Sequence, residues 1–152
     1  MPETISAPDL TKRPPRSARC RLGGYVLLPR MLDKGRAEIA GTEGEFHYDC
    51  PLDQRIINFI GFDAKLLRKE LETGKGDGEI LEWLNANAKN KREPWEIQQW
   101  SAWMDTRGPD SDAETIGYFG SAVAKYGPGR EDIHGWMELL DLDDYVTFGG
   151  KP

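Results

Sequence analysis

The sequence predicts an all-α protein, a compact bundle of about seven short helices behind an extended basic N-terminal arm. Three observations predict it. Apolar residues recur at helical spacing in one segment after another. Residues that start and stop helices stand at the ends of those segments: Pro51 and Pro94 in first turns, Asp63 and Asp112 at N-caps, Gly41, Gly61, Gly74 and Gly127 behind. The first 24 residues carry four prolines, Pro2, Pro8, Pro14 and Pro15, which forbid a continuous helix.

Residues 1–24 therefore form the arm, ended by Gly23-Gly24, and residues 25–152 a single helical domain. The first helix runs from about Leu28 to Ala40, with Pro29 tolerated in its first turn and Gly35 a weak point inside it. In GTEGEFHYDC, Phe46 and Tyr48 alternate with polar neighbours, so a short extended piece is expected. Leu52 to Ile60 is the second helix. Asp63 caps a third that ends at Gly74, GKGDG is a turn, and EILEWLNANA is the fourth. PWEIQQWSAWMDTR is the fifth, with Pro94 at its first position, and Asp110-Ser111-Asp112 precedes the sixth, AETIGYFGSAVAKY. The seventh is expected from Glu131 to Leu140 or Leu142, followed by an irregular tail, DDYVTFGGKP, with Tyr145, Val146 and Phe148 as anchors.

Length and composition exclude several classes. A chain of 152 residues buries a core without metal or disulfide support. No apolar run approaches the ~20 residues of a membrane span, and MPETISAPDLTKRPPR has no hydrophobic signal region, so a cytoplasmic protein that uses no membrane is expected. Residues 1–40 hold eight Lys/Arg against four Asp/Glu, whereas residues 41–152 hold twelve against twenty-two. An acidic body repels nucleic acid, so no nucleic acid is expected as partner. The basic arm instead suits a small anion or pairing with the acidic stretch Glu138, Asp141, Asp143 and Asp144, and the plain alternative is a solvated flexible tail.

Chemistry concentrates in HYDCPLDQR. Pro51 suits the first turn of the second helix, which puts Cys50 at or beside its N-cap, where the helix dipole favours a thiolate. His47 lies three residues upstream, and histidine is the commonest proton carrier of enzymes, so His47 and Cys50 form the candidate catalytic pair. The plainer account of the same residues is a half-buried structural thiol, with Asp49 or Asp53 satisfying the helix amides. An anion site would draw Arg13 and Arg16 from the arm and Arg30 and Lys34 from the first helix. Tyr25, Tyr48, Trp95 and Trp103 would wall it. Ile97, Trp100 and Met104 share one face of the fifth helix and read as core, with Trp95 and Trp103 elsewhere around it.

No cofactor or metal is expected. GKGDG lacks the strand–loop–helix context and the Lys-Ser/Thr pair of a phosphate loop. Two cysteines and two histidines, with Cys20 and His134 isolated, do not have zinc spacing. LDLDDYV lacks the glycine and terminal Glu of a calcium loop.

The runs DLTKRPPRS, LGGYVLLPRMLDKGRAEIAG, CPLDQR, KGDGEILEWL, PWEI and LDLDDYVTFGGK together resemble a bacterial family called domain of unknown function 5069. The resemblance extends from Asp9 to Lys151. It implies a compact single-domain bacterial protein and assigns no residue a role. The residues themselves favour a protein or enzyme that takes an anionic metabolite. The alternative is a protein–protein module or homodimer that uses the arm and exposed Trp residues.

Overall fold

A computed structural model describes residues 5–152. Its regular structure is seven helices and one small hairpin: β1 (Arg21–Leu22), β2 (Tyr25–Val26), α1 (Leu28–Ala40), α2 (Pro51–Ile60), α3 (Ala64–Glu72), α4 (Asp77–Asn87), α5 (Pro94–Thr106), α6 (Ala113–Tyr126) and α7 (Trp136–Thr147). The all-α class is therefore established. The chain groups into two compact units, one up to Gln98 and one from Gln99 onward.

Capping sets most helix starts in both units. Asp63 accepts from Lys65 N–H at 2.8 Å before α3, and Asp112 from Thr115 N–H at 2.8 Å before α6. Pro51 opens α2 and Pro94 opens α5, at positions whose N–H groups have no partner inside a helix.

In the first unit, the described part of the predicted arm contains no helix. Turns fold it: Lys12 and Arg13 N–H reach the Asp9 carbonyl at 3.2 Å, and Cys20 N–H reaches Ser17 O at 3.0 Å. The first four arm residues lie outside the described residues. Leu10 is buried, its N–H donates to Thr42 O at 2.8 Å, and the Thr42 hydroxyl donates to Pro8 O at 2.8 Å. These bonds tie residues 8–10 to the turn behind α1. Gly23 and Gly24, both at positive φ, turn an antiparallel hairpin that pairs Arg21 with Val26 and Leu22 with Tyr25. Sequence reading took these glycines as a stop and missed the hairpin, because two-residue strands are too short to show alternation.

The chain enters α1 through Leu27, at φ 71°, a left-handed conformation unusual for a branched side chain. Its N–H donates to Ala18 O at 2.9 Å, and its side chain is 1% exposed, so packing holds the strained residue in place. Leu28, Met31 and Leu32 of α1 are buried with Ile56 and Ile60 of α2, Leu67 and Leu71 of α3, and Ile80 and Leu84 of α4. Gly35 is no weak point. A Cβ there would lie 2.7 Å from Leu71 and 3.2 Å from the Tyr48 ring, so the glycine lets α3 and Tyr48 approach α1 closely. Phe46 and Tyr48 form no strand; Phe46 N–H closes a turn onto Glu43 O at 3.0 Å.

In the second unit, Phe119 of α6 meets the Trp136 ring of α7 edge-on, with centroids 5.1 Å apart. Trp136 Nε1 donates to Gly108 O at 3.0 Å. Helix α7 corrects the expected boundaries: it starts five residues later than Glu131 and continues to Thr147, into the tail expected to be irregular. The physical reason is local. Glu138 reaches back to accept from Gly135 N–H at 3.1 Å and His134 N–H at 3.2 Å, which fixes the start at Trp136. Leu139, Leu142 and Val146 then continue one apolar stripe through the acidic run.

Candidate functional site

The first unit contains a cleft of about 550 Å³ bounded by residues 6–16, α1 and the turn into α4. Its charged lining is Arg13, Arg16, Arg36 and Lys75 against Asp33 and Asp77. Pro14 and Pro15 remove two donors and hold this stretch out of a helix, which lets Arg16 lie across α1. Arg16 grips Asp33 through Nε at 3.1 Å and Nη2 at 3.0 Å, and its own N–H adds a third bond at 2.9 Å. Its Nη1 reaches Asp77 Oδ2 at 2.8 Å. Arg36 Nη1 takes Asp77 Oδ1 at 2.8 Å, and Arg36 Nη2 takes Lys75 O at 3.1 Å.

Asp77 is thus the hub. It opens α4, where the helix dipole favours a carboxylate, and it is shared by two guanidiniums. The hydrogen bond from Arg16, with that from Arg36, holds the Asp77 carboxyl below its ordinary range. The same bond raises Arg16 further above its ordinary value. Lys75 pairs with Glu70 behind the cleft. Among the described residues no carboxylate pairs with Arg13, which is exposed at the rim.

The second arrangement lies at the start of α2. Cys50 is its N-cap, as expected, with extended backbone and a partly exposed thiol. The amine of Lys34, on α1, stands 3.3 Å from the Cys50 sulfur. Lys34 is 4% exposed and Asp53 1% exposed, and the two form a buried ion pair at 2.9 Å. Asp53 also accepts from Asp49 N–H at 3.0 Å, which pins the left-handed Asp49 at φ 62°. One carboxylate therefore fixes both the lysine and the turn that presents the cysteine.

The predicted residues divide accordingly. Arg13 and Arg16 line the cleft, and Lys34 adjoins Cys50 and Asp53. Arg30 is buried; its Nη1 donates to Arg16 O at 3.3 Å and its guanidinium lies 5.6 Å from the Phe46 ring centre. Tyr25 is buried edge-on to Phe59. Tyr48 donates its hydroxyl to Ala64 O at 2.6 Å, and burial, with the nearby Asp53 and Asp49 charges, pushes its phenol well above the ordinary value. His47 is exposed, and among the described residues it makes no hydrogen bond. Trp95 is exposed on α5 in the first unit, and Trp103 is exposed in the second, with Arg107 beside its ring. Among the described residues no aromatic side chain lines the cleft; Trp83 lines a separate hollow of about 510 Å³ with Phe62, Leu66 and Lys89.

Sequence reading missed Asp33, Arg36, Lys75 and Asp77 as cleft residues and Asp53 as the partner of Lys34. The signal for Asp53 was available, since it is the acidic residue in the first turn of α2. For Asp77, GKGDG was read only as a turn, and nothing local marks its aspartate as the partner of two distant arginines.

No curated protein matches the chain. The family model described as Domain of unknown function (DUF5069) matches residues 12–146, which includes most of the cleft lining, both partners of the Lys34–Asp53 pair and Cys50, and the chain belongs to that family.

Proposed function

We propose that this protein binds a small anionic metabolite in the cleft between residues 6–16 and the turn into α4. The observation that carries the reading is the lining itself: four basic side chains against two carboxylates in about 550 Å³. A volume of that size suits a metabolite. Arg16 and Arg36 are committed to Asp77 and form a rigid floor. Arg13 stands at the edge with donors to offer, Lys75 lines the cleft while paired with Glu70, and the peptide groups of Gly74 and Gly76 beside them leave room for a ligand to approach. Carboxylate or phosphate groups match such donors.

Calorimetric titration of the purified protein with pyrophosphate, citrate and a nucleoside monophosphate tests this reading. Arg13→Glu and Lys75→Glu are the informative variants, because Arg16 also holds the fold together. Binding weakened at least tenfold by each supports the reading. No heat with any of these anions, or binding indifferent to both variants, overturns it.

The alternative reading, a protein–protein surface, is favoured by one observation. The second unit exposes four large apolar side chains, Trp103, Ile116, Tyr118 and Tyr145. Light scattering across a concentration series tests for a homodimer through this unit.

A further inference from the structure

The cysteine at the start of α2 does not stand alone. A primary amine is its neighbour at 3.3 Å, although Lys34 and Cys50 are 16 residues apart. The amine is immobilised by a buried ion pair with Asp53, at 2.9 and 3.0 Å to the two carboxylate oxygens. The backbone that carries the thiol is placed by its helix N-cap position and by the Asp49–Asp53 hydrogen bond beside it. It is partly exposed, so a small oxidant in water can reach it, whereas the amine behind it is buried. An accessible sulfur, an amine in contact with it and a carboxylate that can take a proton from that amine are the parts that oxidative coupling requires.

We propose that Lys34 and Cys50 form a peroxide-driven covalent cross-link, a reversible Nζ–Sγ bond between α1 and α2. In the first step the Cys50 sulfur attacks one oxygen of hydrogen peroxide as the thiol gives up its proton to the other, departing oxygen. The O–O bond breaks, the sulfur becomes a sulfenic acid, and the second oxygen leaves as water. The sulfur loses two electrons and the peroxide gains them. In the second step the Lys34 ammonium passes one proton to the Asp53 carboxylate, and the freed lone pair attacks the sulfur. The S–N bond forms as the S–O bond breaks, and the departing hydroxide takes a second proton from nitrogen to leave as water. One proton remains on nitrogen. The cross-linked protein is thus lighter than the reduced protein by two hydrogens, and a thiol reductant restores both side chains.

The geometry explains why the amine captures the sulfenic acid. Cys20, the other cysteine, is exposed. A second peroxide would carry the Cys50 sulfur on to the sulfinic acid, but the Lys34 nitrogen is already in contact and needs no diffusion. The device is distinct from the anion cleft, and neither reading depends on the other.

The test is peptide mapping of the Cys20→Ser protein after treatment with a few equivalents of hydrogen peroxide and quenching with catalase. The Cys20→Ser background removes an intramolecular disulfide, which would show the same mass change. The expected product is monomeric, two hydrogens lighter, and yields a tryptic species that joins the Lys34 and Cys50 peptides. Dithiothreitol should return it to the starting mass, and Lys34→Arg should abolish it. Because Lys34→Arg disturbs a buried ion pair, the map of the Cys20→Ser protein decides by itself. Conversion of Cys50 to sulfinic acid with no joined peptide, or a Cys50 that stays reduced, overturns the proposal.

Discussion

Arg16 and Asp77 stand 61 residues apart in the chain, yet their side chains meet at 2.8 Å with a second contact at 3.3 Å. This contact joins the N-terminal segment to the first turn of α4, and Arg36 completes it from α1 at 2.8 Å. The cleft proposed to hold an anion is framed by these three side chains.

The contact makes a pH-dependent prediction. Folding holds the Asp77 carboxyl below its ordinary value of 3.8, so the folded state takes up its proton less readily than the unfolded chain. The resulting stability is fully present above that value and is lost as pH falls through the lowered folded one. Asp77→Asn should therefore cost about 1 kcal/mol at pH 7, an amount limited by solvent screening at this half-exposed site. Urea unfolding at pH 7 and again near pH 3 should show the gap between wild type and variant narrowing.

Gly35→Ala reverses the usual rule for helices. Alanine in an open helix interior stabilises by about 1 kcal/mol over glycine. Here the new methyl group meets Leu71 at 2.7 Å and the Tyr48 ring at 3.2 Å, so the substitution should cost about 1–3 kcal/mol through overpacking. Thermal unfolding should show a lower Tm. An unchanged or raised Tm would mean that α1 and α3 separate easily.

The Lys34–Asp53 pair should be unequal in its single and double variants. Lys34→Met alone leaves a buried carboxylate without its cation and should cost about 3–5 kcal/mol. Lys34→Met with Asp53→Leu removes both charges and should recover much of that loss. The recovery is incomplete because Asp53 also accepts from Asp49 N–H. Denaturant midpoints of the two singles and the double give the coupling directly.

Glu138→Ala should shorten or fray α7 from its start, since Glu138 accepts from both Gly135 and His134 N–H. A loss of about 1 kcal/mol is expected. Amide exchange should accelerate at residues 135–138 and change little at Leu142.

Helices were legible wherever their ends are written locally. Asp63, Asp112, Pro51, Pro94 and the glycines behind each segment act within a few residues, so reading them in order places six of the seven helices to within a turn. The seventh was misplaced because three aspartates after Leu140 suggested an end. They lie inside the helix, Asp144 buried and Asp141 and Asp143 half-buried, beside an apolar stripe that continues to Val146. The hairpin was missed for its shortness, and Phe46 and Tyr48 alternate in polarity without forming a strand.

The candidate sites were legible in part. Cys50 at a helix start follows from Pro51 alone, and a basic segment near α1 follows from the charge distribution. What the sequence by itself determined is the helical class, the helix ends and the residue types available for chemistry. Only the tertiary structure decided which of them meet. Arg16 found Asp33 and Asp77, and Lys34 rather than His47 came to lie against the Cys50 sulfur. The physical reason is range. Capping and periodicity act over one or two helical turns, whereas an ion pair across 19 or 61 residues exists only after the helices between have packed.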